Sequence, residues 1–284
     1  MCEQDHVTTM RAGLSRRQFG AFAGLGALAA CATPNAGAAA GLAERKVTFP
    51  ADGATMDAFW VHPRDGRHPA VILWPDIAGL RPVFEMMARR LATQGFAVLV
   101  LNPYFRDRPA PQFADFAAIM EAGFATVAPW RAKNDAAGVT RTARDVVAWL
   151  DGQPQVDTNA GIGTQGYCMG GPYTVWTAAA APTRVKAAAS FHGGGLVTDA
   201  PTSPHAVLDD TQAQFLIAIA QDDDAKAPGD KDTLRQAAQA AGRPAIVEVF
   251  AGDHGWTVAD SPAYAEAEAE RAWTALLALY ERAL

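Results

Sequence analysis

The sequence predicts an α/β protein: a single domain built on a mostly parallel sheet with helices on both faces. Three observations carry this expectation. Short apolar runs rich in Val, Ile and Phe alternate with amphipathic stretches from about Lys46 to the C-terminus, the pattern of successive βαβ units. The chain has 284 residues, 50% of them hydrophobic, enough for one substantial core. After residue 43 no internal repeat, low-complexity tract or linker divides it, so residues 46–284 read as one domain.

Strands are expected at 46–49, 56–62, 70–75 and 96–102, then at 162–167, 186–191, 214–220 and 245–250. Runs such as Ala70-Val-Ile-Leu-Trp74 and Phe215-Leu-Ile-Ala-Ile-Ala220 have the continuous apolar character of strands buried on both faces. Helical spacing marks 82–94, 111–127, 139–151, 168–181 and 229–241, with a last helix at 262–282. Residues 104–135 form the least regular stretch and are expected to cap the site. Ligands of such a sheet gather at the carboxyl ends of its strands, which is where chemistry is sought.

Residues 1–30 read as an export signal. Ser15-Arg16-Arg17-Gln18-Phe19 precedes an uncharged run to Ala30 made almost wholly of Ala, Gly, Leu and Phe, a positive segment feeding a short apolar one. Such a run reaches only about 18 Å as a helix, short of a hydrocarbon core of roughly 30 Å, so it is not a spanning helix. The Arg16-Arg17 pair resembles the twin-arginine export signal. Leu28-Ala29-Ala30-Cys31 resembles a lipobox, which makes Cys31 a lipid attachment point. Ala36-Gly37-Ala38 offers the alternative, a cleavage site releasing a soluble product. The expectation adopted is lipidation at Cys31, a flexible linker over 31–45, membrane attachment through the lipid, and a periplasmic or cell-envelope location.

A formal net charge of -6 argues against a nucleic-acid partner. Three cysteines at 2, 31 and 168, with no Cys-x-x-Cys pair, exclude a disulfide scaffold and a structural zinc site. Cys168 stands apart from the other two. The strand ending at Tyr167 runs into Cys168-Met-Gly-Gly171 and then a helical stretch, giving Gly166-x-Cys168-x-Gly170-Gly171. This is the Gly-x-Ser-x-Gly nucleophile elbow with sulfur in place of oxygen. A helix N-terminus following the cysteine favours a thiolate and helps hold an oxyanion. Gly161-x-Gly163-x-x-Gly166 also satisfies a dinucleotide fingerprint. Its glycines lie within the strand rather than after it, and position 186 is Lys rather than an acid, so a nicotinamide or flavin cofactor is not expected.

An elbow nucleophile needs an acid and a histidine later in the chain, in that order. Asp222-Asp223-Asp224 ends one strand, and Gly252-Asp253-His254-Gly255-Trp256 ends the next. His254 is taken as the base over His192 because of chain order and its flanking glycines. Asp224, four residues before Pro228, is the expected acid, with Asp223 as the alternative.

These residues resemble the dienelactone hydrolase family of α/β-hydrolases. The resemblance rests on Pro69-Ala-Val-Ile-Leu-Trp-Pro-Asp-Ile-Ala-Gly-Leu80, Gln94 to Tyr104, Gly166-Tyr-Cys-Met-Gly-Gly171 and His254-Gly-Trp256. It implies an eight-stranded sheet and a triad falling on Cys168, Asp224 and His254. It also implies an acid at Asp76 that supports the thiol, where the best-known members carry Glu, and an oxyanion hole from the Ile77 and Met169 amides. The arginines that grip the substrate carboxylate in those members have no matching position. The expected activity is hydrolysis of a small ester or lactone through a thioester, with no metal or organic cofactor. A non-catalytic, lipid-anchored binding protein on the same fold, or acyl transfer to another acceptor, are the competing readings.

Overall fold

Eight strands form one sheet in the order β1-β2-β4-β3-β5-β6-β7-β8. They are β1 Leu42–Ala51, β2 Ala54–Pro63, β3 Ala70–Trp74, β4 Ala97–Leu101, β5 Ile162–Tyr167, β6 Val185–Phe191, β7 Gln214–Ala220 and β8 Ala245–Phe250. The computed structural model describes residues 41–284; the twin-arginine segment, Cys31 and Ala36–Ala38 lie outside the described residues. β1 and β2, and β2 and β4, pair antiparallel, whereas every later pair is parallel. The expected mostly parallel sheet and all eight strands are present.

The first two strands are longer than expected and form a hairpin in register from Leu42↔Pro63 to Ala51↔Ala54. Asp52 and Gly53 take φ 44 and 73 in the turn, the left-handed pair that a two-residue hairpin loop requires. Residues 42–45, expected as linker, therefore belong to the sheet.

Side chains alternate across the central strands. Ile72 and Trp74 face a layer with Val146 and Leu150 of helix α4 (Ala136–Asp151), Val175 of α5 (Gly170–Ala180) and Leu234 of α7 (Asp230–Ala240). Val71 and Leu73 face the opposite layer with Phe84 and Leu91 of α1 (Pro82–Ala92) and Leu276 of α8 (Glu266–Ala283). A parallel sheet covered in this way has no polar face, which explains the unbroken apolar runs.

Two helical expectations need correction. The helix over 111–127 is instead a short helix α2 (Phe116–Ala122), a 3₁₀ turn (Phe124–Val127) and a four-residue helix α3 (Ala128–Arg131). Asp115 caps α2 by accepting from the Ala118 N–H at 2.9 Å, and Gly123, at φ 81, ends it. The helix α6 (Gln221–Lys226) was not anticipated. It starts directly from β7, and its three aspartates sit in the first turn, where the helix dipole favours negative charge.

Candidate active site

β5 ends at Tyr167, and the chain turns through Cys168 and Met169 into α5. Cys168 takes φ 51, a left-handed conformation costing an L-residue roughly 1–2 kcal/mol. It is the only cysteine among the described residues and is partly exposed. The flanking glycines permit the approach: a Cβ on Gly170 would lie 2.5 Å from the Trp74 carbonyl oxygen, and one on Gly171 2.5 Å from Gly193 Cα. The N-terminus of α5 is thereby brought against the ends of β3 and β6.

His254 follows β8. Its Nδ1 lies 2.6 Å from Asp223 Oδ2, and its backbone N–H donates to Asp222 Oδ1 at 2.8 Å. The expected acid was Asp224, but that carboxylate faces Lys231 Nζ at 2.6 and 2.8 Å. The correction is geometric: the three aspartates occupy one helical turn, so consecutive side chains point about 100° apart and only one can meet the imidazole. Burial works against charge on His254, yet hydrogen bonds to Asp223 and the Cys168 side chain outweigh it and push its pKa up to about 10. Burial also opposes charge on Asp223, while its bonds to His254 and Lys226 hold the carboxyl below the ordinary range. With Nδ1 committed to Asp223, Nε2 is the nitrogen left for the thiol.

Asp76 makes no hydrogen bond to Cys168 among the described residues. Arg81 Nη1 and Nη2 donate to its two oxygens at 2.7 and 2.9 Å, and the Ala78 N–H donates to Oδ1 at 2.9 Å. Burial pushes the Asp76 carboxyl up against the pull of Arg81 and the Ala78 N–H. The carboxylate instead clamps the Ile77–Ala78 peptide, whose carbonyl accepts from the Tyr104 hydroxyl at 2.7 Å. Tyr104 also contacts Met169 Sδ at 3.5 Å. Ile77 and Met169 therefore sit together beside Cys168, held by shared neighbours, and neither backbone N–H donates to another acceptor among the described residues.

The sequence profile described as "Dienelactone hydrolase family" matches residues 56–284. The chain belongs to the dienelactone hydrolase family. A provisionally assigned carboxymethylenebutenolidase of Salmonella typhi is 28% identical over 255 residues, covering 86% of this chain and 88% of the relative. Its counterpart in Escherichia coli K12 is 26% identical over 245 residues, 83% and 85% of the two chains. A provisionally assigned dienelactone hydrolase from Klebsiella pneumoniae, known from a crystal structure, superposes with a TM-score of 0.71 at 25% identity, covering 85% of this chain and 99% of that one. The family and these relatives make the chain a carboxylic ester hydrolase on the α/β-hydrolase fold.

In this family member a cavity of about 550 Å³ opens onto Cys168, Ile77 and Met169. The 104–135 stretch, expected as a cap, supplies Phe124, Arg131 and Asp135 to its wall, and α5 supplies Tyr173 and Trp176. The cavity is thus apolar and aromatic on one side, with charges confined to the cap.

Sequence reasoning missed Lys226, Arg81 and Asp260 and did not foresee the parts played by Asp222 and His192. Asp222 fixes the His254 backbone, and Lys226 reaches both Asp222 and Asp223 at 2.8 and 3.2 Å. Arg81, buried, also forks onto Asp260 at 2.8 Å through Nε and Nη2, and Asp260 Oδ2 accepts from the Phe116 N–H at 3.1 Å. His192 is wholly buried beside the nucleophile turn. Asp222 already stood in the aspartate triplet read from the sequence, whereas Arg81 and Asp260 lie 179 residues apart and carry no local signal.

Proposed function

We propose that the protein hydrolyses a small ester or lactone by covalent catalysis at Cys168. The observation that carries this reading is the left-handed cysteine at the end of β5, facing an aromatic cavity and backed by His254 held 2.6 Å from Asp223. The thiolate attacks the substrate carbonyl carbon, and the developing oxyanion is received by the N–H groups of Ile77 and Met169. One such donor is typically worth about 3–4 kcal/mol in the transition state. Collapse breaks the C–O bond, His254 Nε2–H gives its proton to the leaving alkoxide, and a thioester remains on Cys168. Water then attacks the thioester while His254 takes its proton. Expulsion of the thiolate releases the carboxylic acid and restores the thiolate–imidazolium pair. Asp223 holds the imidazole orientation and favours its charged form.

The test is turnover on a panel of p-nitrophenyl esters and small lactones by the wild type and Cys168→Ala. Loss of about 10³-fold or more in kcat supports the reading; equal rates contradict it. Stoichiometric ligand binding without turnover would move the protein to the binding-module reading.

The same proposal places the enzyme outside the cytoplasm. It rests on Arg16-Arg17 ahead of the uncharged run to Ala30 and on Leu28-Ala-Ala-Cys31, which together fit export by the twin-arginine route and lipid attachment at Cys31.

A further inference from the structure

Among the described residues, three that are not glycine take a positive φ: Asp52, Cys168 and His192. Asp52 belongs to the β1–β2 hairpin turn, where the geometry is ordinary. The other two face each other across the carboxyl ends of neighbouring strands, β5 and β6, and such paired backbone strain points to a functional constraint. His192, at φ 41, is held from several sides. Its backbone N–H donates to the Ala218 carbonyl of β7 at 2.8 Å. Its Nδ1 lies 3.2 Å from the Cys168 backbone nitrogen, whose N–H is shared with the Phe191 carbonyl at 3.0 Å. Because that N–H can only donate, Nδ1 is the bare nitrogen and Nε2 carries the proton, which it gives to Thr257 Oγ1 at 3.0 Å. The ring also meets His254 edge-on at 4.9 Å and Trp256 at 5.1 Å between centroids. Its two nitrogens therefore join the turn that carries the nucleophile to the loop that carries the base.

We propose that His192 is a positioning residue, a hydrogen-bonded spacer that fixes the Cys168 turn against the loop holding His254. It does not line the cavity, so its action passes through Cys168 and His254 rather than through the substrate. The inference rests on the reading of those two residues as the reacting pair. The titratable groups around it are His254, Asp223, Cys168 and, on β5, Tyr167, whose ring centroid lies 6.1 Å away. Burial, with the neighbouring His254 charge, holds the His192 pKa down at about 3, so the spacer stays neutral and the two histidines do not compete for one positive charge. Glycines at 171 and 193 complete the fit, because a Cβ on Gly193 would meet Gly171 Cα and the Ser190 side chain.

The test compares His192→Phe, His192→Asn and Thr257→Val with the wild type, using p-nitrophenyl acetate turnover and the pH profile of Cys168 alkylation by iodoacetamide. Phe fills the space without hydrogen-bonding, whereas Asn tolerates the left-handed backbone and can still accept from the Cys168 N–H. The expected result is a kcat loss on the order of 10²-fold in His192→Phe, with KM held within about twofold and most of kcat kept in His192→Asn. The alkylation profile should shift in the Phe variant, where a purely structural role would leave it in place. Should His192→Phe fail to fold, Thr257→Val decides: a lowered kcat at unchanged KM with a shifted alkylation profile supports the inference. Wild-type kcat and alkylation in a folded His192→Phe or in Thr257→Val, or a loss through KM alone, would overturn it. Full activity in Cys168→Ala would overturn the underlying reading instead, which separates the two failures.

Discussion

At the residue scale, the three consecutive aspartates of α6 each hold a different partner. Asp222 takes the His254 backbone N–H, Asp223 the imidazole and Asp224 the Lys231 ammonium. Asp223→Asn should lower kcat by about 10²–10⁴-fold, because the imidazole loses the acceptor that sets its tautomer. Asp224→Asn should stay close to wild type, since it breaks only a half-exposed ion pair. Steady-state kinetics on one p-nitrophenyl ester separates the two, and the reverse order would return the role to Asp224. Stability carries a second signature. His254 is raised from 6.5 to about 10, so its contribution is fully present below pH 6.5 and is lost as the pH rises through about 10. The Tm gap between wild type and Asp223→Asn should therefore be widest below pH 6.5 but above the acid range in which Asp223 takes up its proton, and should close as the pH approaches 10. The aspartate triplet and His254 were legible in the sequence. Which aspartate served was not, because that depends on where α6 begins, and a start one residue later turns a different side chain toward the histidine.

At the scale of elements, Arg81 joins segments that no local pattern connects. It clamps Asp76 in the loop after β3, Asp260 in the loop beyond His254 and, through Asp260, the start of α2. Arg81→Met leaves the buried Asp76 carboxylate without its partner and should cost about 3–5 kcal/mol by urea unfolding, with part of the loss recovered in Asp76→Asn/Arg81→Met. A loss in the double variant equal to the sum of the two single losses would show that the clamp is not a unit. The buried strands were legible because a covered parallel strand must be apolar throughout, as Ala70–Trp74 and Ala97–Leu101 are. The 111–127 stretch was not, because its helical spacing gives way at Gly123, where a left-handed glycine outweighs periodicity. The partner of Asp76 was not legible for a related reason. A resemblance fixes which residue sits after β3, but a nearby Arg81 decides where its carboxylate turns.

At the scale of the whole molecule, a two-layered core of helices over a buried sheet brings the ends of β3, β5, β6, β7 and β8 to one edge, where Cys168, His254 and Asp223 meet. Alternating apolar segments announced that architecture, and the elbow glycines announced the turn that carries the proposed nucleophile. The spacer His192 and the clamp Arg81 work through contacts that only the assembled sheet creates. The proposed export belongs to this scale too. Replacing Arg16 and Arg17 together by Lys should leave the protein in the cytoplasm, and mass spectrometry of the envelope form should find a lipidated Cys31; an unlipidated start near Ala39 would contradict the anchor.

The central claim is a covalent acyl group on Cys168. Mixing the enzyme with p-nitrophenyl acetate, quenching with acid within the first turnovers and measuring the intact and peptide masses tests it directly. The account predicts one added acetyl group on the peptide containing Cys168, absent in Cys168→Ala and lost as turnover completes. Rapid turnover with no acetyl group on Cys168 at any time, or acetylation at another residue in the active enzyme, would contradict it.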